Sequence, residues 1–326
     1  MKLGVFTPVF NNLTFPEMLD RAEKLGLEAV EIGTGGNPGD AHLNLDELLA
    51  SSQKRHEYLA QVENHGLIIS AFSCHNNPIS PLVDVAQKAD ETLRKTIRLA
   101  ELMNVPVVNE FSGISGGNAT DTQINWPTLP WPLEYNDNYN FQWEKRLIPY
   151  WKDINHIAVD AGVKIGIELH GGFLCHTPYT MLKLREATGK AIGCNLDPSH
   201  MWWQGIDPVA AIKILGEAGA LHHFHAKDTY LDQDNINLYG LTDMQPYDKV
   251  KSRAWSFRSV GYGHDMKTWS DMMSALRLYG YDYVVSIEHE DPLMSVDEGL
   301  GQAVKNLQSV LIKDSPGTMW WTGDTI

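Results

Sequence analysis

The sequence predicts an α/β protein built as a closed barrel of eight parallel strands that alternate with helices. Short apolar runs bounded by turn residues alternate eight times with longer segments of helical periodicity. Polar side chains follow the apolar runs at their carboxyl ends, which is where the active sites of such barrels lie. Closure also removes the two exposed edges that an open parallel sheet would leave. The fold class that follows is a (β/α)8 TIM barrel.

The strands are expected where apolar residues run almost continuously, because strands covered on both faces do not alternate. They are predicted at 2–6, 28–32, 67–73, 105–109, 163–168, 191–196, 221–226 and 283–287. The helices between them begin at caps such as Thr14 and Ser295 and end at glycines such as Gly26 and Gly280. They are predicted at 14–25, 45–64, 81–103, 143–161, 178–188, a short stretch from 207, 266–279 and 295–312.

Two long segments, 111–141 and 229–262, lack a sustained period and are predicted as βα loops after strands 4 and 7. Loops of this length in a compact domain are usually functional. Residues 1–313 are expected to form the barrel as a single domain. Residues 314–326 are expected to form a C-terminal tail, whose apolar Met319-Trp320-Trp321 stretch suggests a docking segment.

The composition restricts the class of function. The formal net charge of −15 disfavours nucleic acid and anionic membranes as partners, because the field of the protein repels phosphates. The three cysteines, Cys74, Cys175 and Cys194, form no CxxC pair, which favours reduced thiols and a cytoplasmic location. Neither a signal peptide nor an apolar run long enough for a membrane span is expected.

Oxygen or imidazole ligands follow the last four predicted strands. Glu168, Asp197, His225 and Glu288 each come at the end of an apolar run, and such ends converge in a barrel. Each residue alone is more often a solvated loop acid, a core histidine or a turn starter, but together they predict a site for a divalent cation. His223 alternates with His225 and faces the same side, so His225 is chosen because it lies nearer the strand end. Interior strand positions are expected to carry no such acids.

Four motifs resemble the xylose-isomerase-like sugar isomerase and epimerase superfamily: 167–170 (IELH), 196–200 (LDPSH), 223–228 (HFHAKD) and 286–290 (SIEHE). The resemblance covers nearly the whole barrel. It implies a divalent cation, most often Mn²⁺ with Mg²⁺ or Co²⁺ as alternatives, bound by the four ligands named above. It also implies that substrate is contacted by His200, Lys227 and Arg258. The substrate site is expected to include further side chains at strand ends, namely His75, Asn109 and His170.

The resemblance implies proton transfer beside the carbonyl of a keto-sugar. A cation that chelates the carbonyl oxygen would stabilise the enediolate, and Glu168 and Glu288 would remove and return the proton. His200, Lys227 and Arg258 would hydrogen-bond the oxygens that become negative. The four ligands alone leave open whether the outcome is isomerisation, epimerisation or loss of a substituent.

Aromatic residues crowd the long loops and the segment after His200. They indicate either packing on the barrel mouth, a subunit contact, or an aromatic wall for a large substrate. They are Trp126, Trp131, Tyr135, Tyr139, Phe141, Trp143, Trp202, Trp203, Trp255 and Phe257. An aromatic wall for a large substrate favours an alternative within the superfamily. This alternative is the large subunit of C-glycoside deglycosidases, which cleave 3-oxo-glycosides by elimination. The expected partners are a small sugar or keto-glycoside and either a homo-oligomer or a small partner subunit.

Two functions of other classes are less favoured. A metal-dependent DNA-repair phosphodiesterase would use a similar barrel, but it would need a basic groove and more metal ligands than this acidic chain offers. A sugar-binding barrel without catalysis would not need the four ligands. The sequence therefore favours a metal-dependent enzyme.

Overall fold

The computed structural model describes residues 1–325, and its centre is a closed parallel barrel. The barrel order is β1-β10-β7-β6-β5-β4-β3-β2, which confirms the predicted eight-stranded α/β barrel. The strands are β1 Lys2–Phe6, β2 Ala29–Gly33, β3 Ile68–Ser73, β4 Val107–Phe111, β5 Lys164–Glu168, β6 Ile192–Leu196, β7 Leu221–Ala226, β8 Asp228–Leu231, β9 Trp255–Arg258 and β10 Val284–Ile287. The prediction for the tail extends to Ile326, which lies outside the described residues.

The helices surround the barrel, and those that were predicted lie close to their predicted positions. Three further helices, at 134–141, 198–203 and 233–239, were not predicted, and the first and third lie within the two predicted loops. In chain order, the helices are α1 Phe15–Lys24, α2 Leu45–Ala50, α3 Ser52–Asn64, α4 Val83–Met103, α5 Glu134–Phe141, α6 Ile148–Ala161, α7 Pro178–Thr188, α8 Pro198–Trp203, α9 Pro208–Glu217, α10 Gln233–Tyr239, α11 Met266–Leu278 and α12 Val296–Val310. The predicted helix 45–64 is interrupted at Ser51, whose extended backbone and side chain cap α3. Over residues 1–325, none of the helices has the length and apolarity needed to cross a membrane.

The second long loop is ordered by its own small sheet. Strands β8 and β9 pair antiparallel outside the barrel, and α10 lies between them in the chain. The buried Asp228 carboxylate fixes the return of this loop, because its Oδ2 accepts the backbone N–H groups of Gly261, Gly263 and His264 at 2.9, 3.1 and 3.0 Å. The loop therefore has a defined structure and forms part of the wall at the barrel mouth.

Two fully buried glutamates on the strands show that the expectation of no interior acids is wrong. Glu31 on β2 faces the barrel axis and accepts hydrogen bonds from Ser73, Asn109 and Ser286. Glu110 on β4 faces the surrounding layer and accepts the backbone N–H groups of Asn76 and Phe111. Buried acids are tolerated when their oxygens are satisfied in this way.

We predict that Glu110→Gln changes the free energy of unfolding in a pH-dependent way. Burial raises the pKa of Glu110 to about 7, from 4.5 for an exposed glutamate. Ionisation therefore destabilises the folded state as the pH rises from 4.5 to 7. The stability of the variant relative to the wild type should therefore rise by about 2.5 kcal/mol between pH 5 and pH 8. Urea unfolding across this pH range measures the difference, with Glu101→Gln on the exposed side of α4 as the control, and a pH-independent difference would contradict the prediction.

Candidate active site

Four predicted ligands converge at the carboxyl end of the barrel. Glu168 is the last residue of β5, Asp197 follows β6, His225 is next to last in β7, and Glu288 follows β10. One ligand atom from each lies within 4.8 Å of every other. Ligands on opposite sides of a Mg²⁺-sized octahedral ion lie roughly 4.2 Å apart. The four side chains could therefore bind one divalent cation.

The contacts among these side chains favour a cation over a set of hydrogen bonds. His225 Nδ1 lies 2.9 Å from Glu288 Oε2, yet both atoms are buried and neither has a partner in hydrogen-bond geometry. Buried polar atoms that approach each other without forming hydrogen bonds suggest a common ligand between them.

Glu31 fixes the orientation of His225. Its two carboxylate oxygens each lie 3.0 Å from His225 Nε2, and this contact assigns the imidazole proton to Nε2. Nδ1 then faces the cation site. Burial alone would lower the pKa of His225, but Glu31 and Glu288 outweigh it and raise the pKa, so a bound cation would take the place of a second proton on Nδ1. Burial alone would raise the pKa of Glu31, but the neighbouring His225 and His223 outweigh it and keep the pKa below its ordinary value. A carboxylate behind a ligand histidine is a common support of metal sites.

Lys227 is the only lysine or arginine in contact with the ligand set among residues 1–325. Its Nζ lies 3.2 Å from Asp197, 3.0 Å from Glu288 and 2.9 Å from Glu290. Burial alone would lower the pKa of Lys227, but these carboxylates outweigh it and raise the pKa. Burial also raises the pKa of Asp197 to about 7, and the nearby charges of Glu288 and Glu168 act in the same direction. The charge of Lys227 alone therefore does not balance the three carboxylates that it contacts.

Three more predicted histidines surround the four ligands. His75 Nε2 lies 2.9 Å from Glu168 Oε2, and His200 lies on the other side of the same carboxylate. His170 packs against His200 with a ring-centroid distance of 4.0 Å. Trp203 Nε1 donates to His200 Nδ1, so the His200 proton is assigned to Nε2, the nitrogen that faces Glu168. Substrate oxygens in this space would meet imidazole groups.

Two predicted substrate-binding residues lie elsewhere. Strand β4 begins two residues later than predicted, so Asn109 is in mid-strand, where its amide is buried against Glu31 and His223. Arg258 forms an ion pair with Asp291 at 3.1 Å and does not line the central cavity. The assignment of both residues to substrate remains a prediction that their positions do not support.

A cavity of about 460 Å³ is lined by two of the four ligands, Glu168 and Glu288, and its walls include residues that the sequence reasoning missed. Phe6, Phe111 and Phe173 form its aromatic side, and Phe111 stacks on Phe173 at 4.3 Å. Phe6 and Phe111 are the last residues of β1 and β4. Their position at strand ends was the available signal, but apolar residues at strand ends are also common in cores.

The aromatic residues of the long loops do not line this cavity. Trp143 is buried in the core, and Trp203 stacks on Trp255 at 4.9 Å. Phe257 reaches the site edge, because its ring lies 5.5 Å from His200 and 4.4 Å from Lys227 Nζ. Packing therefore explains most of the predicted aromatic wall, and Phe257 is the exception.

Comparison with known proteins assigns the barrel to a family. The profile described as Xylose isomerase-like TIM barrel matches residues 19–310. The chain belongs to this family. It is also 37% identical over 314 residues to the uncharacterized protein YfiH of Bacillus subtilis, a match that covers 95% of this chain and 99% of YfiH. The family resemblance expected from the four motifs is confirmed.

Several solved structures share the fold of this chain at low sequence identity. The probable 3-DHS dehydratase AsbF of Bacillus anthracis has a TM-score of 0.65 at 18% identity, over 94% of this chain and 99% of AsbF. The 3-keto-D-glucoside 4-epimerase YcjR of E. coli has a TM-score of 0.65 at 12% identity, over 95% of this chain and 99% of YcjR. The D-psicose 3-epimerase of Clostridium cellulolyticum H10 has a TM-score of 0.60 at 15% identity, over 95% of this chain and 99% of the epimerase. Sugar epimerases and a dehydratase therefore share this architecture.

We predict that Glu31→Gln weakens the affinity for Mn²⁺ by about 10–100-fold, because His225 loses the acceptor that fixes its proton on Nε2. Isothermal titration of the purified protein with MnCl2 measures the loss. Glu28→Gln is the control, since Glu28 precedes β2 at the opposite end of the barrel and pairs with Lys313. Equal affinities of Glu31→Gln and wild type would show that Glu31 does not support the site.

Proposed function

We propose that the protein is a divalent-metal-dependent isomerase or epimerase that abstracts a proton beside the carbonyl of a keto-sugar. The observation that carries this proposal is the pair of carboxylates Glu168 and Glu288 in one cavity. They come from β5 and β10, which two strands separate in the barrel. Both line the same 460 Å³ space, so a sugar carbon between them would meet a carboxylate on either side.

The cation would be held by the two glutamates with Asp197 and His225, and we propose Mn²⁺ as the natural ion. When bound, it would supply positive charge beside the substrate oxygens that become negative. Lys227 lines the same space and would donate hydrogen bonds to these oxygens, and we propose the same role for His200, which lies behind Glu168. Lys227 suits this role because neighbouring carboxylates keep it protonated.

Glu168 and Glu288 would act as the proton-transfer pair. A general base must be ionised to accept a proton. Burial alone would raise the pKa of Glu168, but His200 and His75 outweigh it and lower the pKa. For Glu288, Lys227 likewise outweighs burial and lowers the pKa to about 2. Either carboxylate can therefore remove the proton. Once the other has taken up a proton from solvent, it can return that proton to the opposite face of the carbon, which is an epimerisation.

A second candidate is cleavage of a 3-oxo-glycoside by elimination. It uses the same first proton abstraction, after which the substituent leaves from the neighbouring carbon with the bonding electron pair. A cavity next to the site favours it, because a leaving substituent needs its own space. That cavity is bounded by Phe257 and shares His170, His289 and Glu290 with the first.

We further propose that the chain works in the cytoplasm and associates with a second copy or a small subunit. The three cysteines are free and buried, which suits a reducing compartment. Large apolar side chains are exposed on the first long loop and the tail, including Trp131 at 75% and Trp320 at 89%. Exposed residues of this kind often mark contacts between proteins.

We predict that Glu288→Gln slows exchange of solvent deuterium into keto-sugar substrates by at least about 10²-fold, because the amide cannot accept the proton. The measurement is NMR of a panel of ketohexoses and 3-oxo-glucosides in D2O with MnCl2. Glu298→Gln on exposed α12 is the matched control and should exchange at the wild-type rate.

The same panel separates the candidate functions. Exchange with formation of a new diastereomer supports epimerisation, and release of a phenol from an aryl 3-oxo-glucoside supports elimination. Absence of exchange with every member in the wild type, or wild-type exchange in Glu288→Gln, would refute the proton-transfer proposal.

A further inference from the structure

A second cavity of about 470 Å³ adjoins the proposed active site. It shares His170, His289 and Glu290 with the central cavity, so the two spaces are adjacent. The far side is formed by the β8–β9 loop and the segment that follows β10. Its lining also includes Tyr247, Arg253, Ser256, Phe257, Asp291, Pro292, Met294 and Val296.

Arg253 is a buried cation in this lining. It is 4% exposed, and its guanidinium carbon lies 4.3 and 4.5 Å from the ring centroids of Tyr247 and Trp255. Its Nε donates to the Trp255 carbonyl at 3.0 Å, and Nη1 donates to the Gln245 carbonyl. Among residues 1–325, Nη2 donates to no acceptor, and no carboxylate lies within 4.0 Å of the guanidinium. Buried arginines are normally paired with an anion.

The acids of the same cavity are already engaged. Asp291 accepts hydrogen bonds from Ser259 and Arg258 on Oδ2 and from Leu293 on Oδ1. Glu290 Oε2 pairs with Lys227 Nζ at 2.9 Å. Arg253 is therefore the member of the lining whose charge the protein does not balance. In a chain of net charge −15, a buried unpaired arginine indicates a specific anion site.

We propose that this second cavity binds a substituent of the sugar substrate that carries an oxyanion, a carboxylate or a phosphate, on Arg253. The inference rests on the proposed function, because the sugar ring would occupy the central cavity. Phe257, Pro292 and Met294 would cover the apolar part of the substituent. The planar guanidinium, held in place by two rings and two carbonyls, is suited to an oxyanion.

The test is direct binding to the protein as purified, which requires neither turnover nor added metal. Isothermal titration compares D-glucuronate and glucose 6-phosphate with neutral D-glucose. At least one anionic sugar should bind about tenfold or more tightly than glucose, as expected for a charge-assisted hydrogen bond. The tighter of the two identifies the group as carboxylate or phosphate. Equal binding of all three sugars, or binding of none, overturns the proposal.

Arg253→Met keeps the stacked stem and removes the charge, so it should abolish the anionic preference. Lys251→Met is the matched control, because it removes an exposed positive charge two residues away and should retain the preference. An anionic preference that survives in Arg253→Met would show that Arg253 only orders the loop. If Arg253→Met does not fold, Arg253→Lys provides the test. A lysine should weaken the binding of the anionic sugar about tenfold and leave the binding of glucose unchanged.

Failure of this proposal is distinguishable from failure of the proposed function. Deuterium exchange into neutral keto-sugars depends on Glu288 and not on Arg253. Anion binding at Arg253 is measured without catalysis. Each result can therefore be negative while the other is positive.

Discussion

The site depends on how buried negative charge is balanced. Glu168, Asp197 and Glu288 are held close together at the barrel mouth, and a single buried lysine contacts the latter two. Burying unpaired carboxylates costs several kcal/mol per ion unless a counter-charge is near. A divalent cation would offset this cost, and the barrel then holds the ligands in place because each is tied to a strand end.

The interior of the barrel supports this arrangement with polar contacts. Branched apolar layers usually fill such barrels. Here Glu31 accepts hydrogen bonds from Ser73, Asn109 and Ser286 and directs one nitrogen of His225 toward the ligand cluster. Gly166 leaves the space for the Asn109 amide, since a Cβ at this position would overlap its side-chain oxygen. Side chains one layer below the proposed cation site therefore help to set its geometry.

The fold and the four ligands could be predicted because a side chain that follows an apolar run must lie at the barrel mouth. Glu31 could not be predicted in this way. A glutamate inside a strand is stable only through partners on several other strands, and these partners are distant in sequence. The placement of Asn109 failed because a two-residue shift in the start of β4 moved it from the mouth to the interior. Arg253 was missed because its neighbours depend on how a long loop folds.

The second long loop, residues 229–262, is structurally distinct from the barrel but attached to it. Asp228 lies two residues after β7, the strand that carries His225, and it binds the returning backbone at Gly261, Gly263 and His264. Strand β7 and the loop are therefore joined by one buried carboxylate. The hairpin held in this way brings Phe257 to the edge of the central cavity and places Arg253 on the wall of the next one. In the proposed reaction, residues of the barrel would transfer the proton and residues of the loop would select the substituent of the substrate. The sequence of the loop could then change without disturbing the ligands.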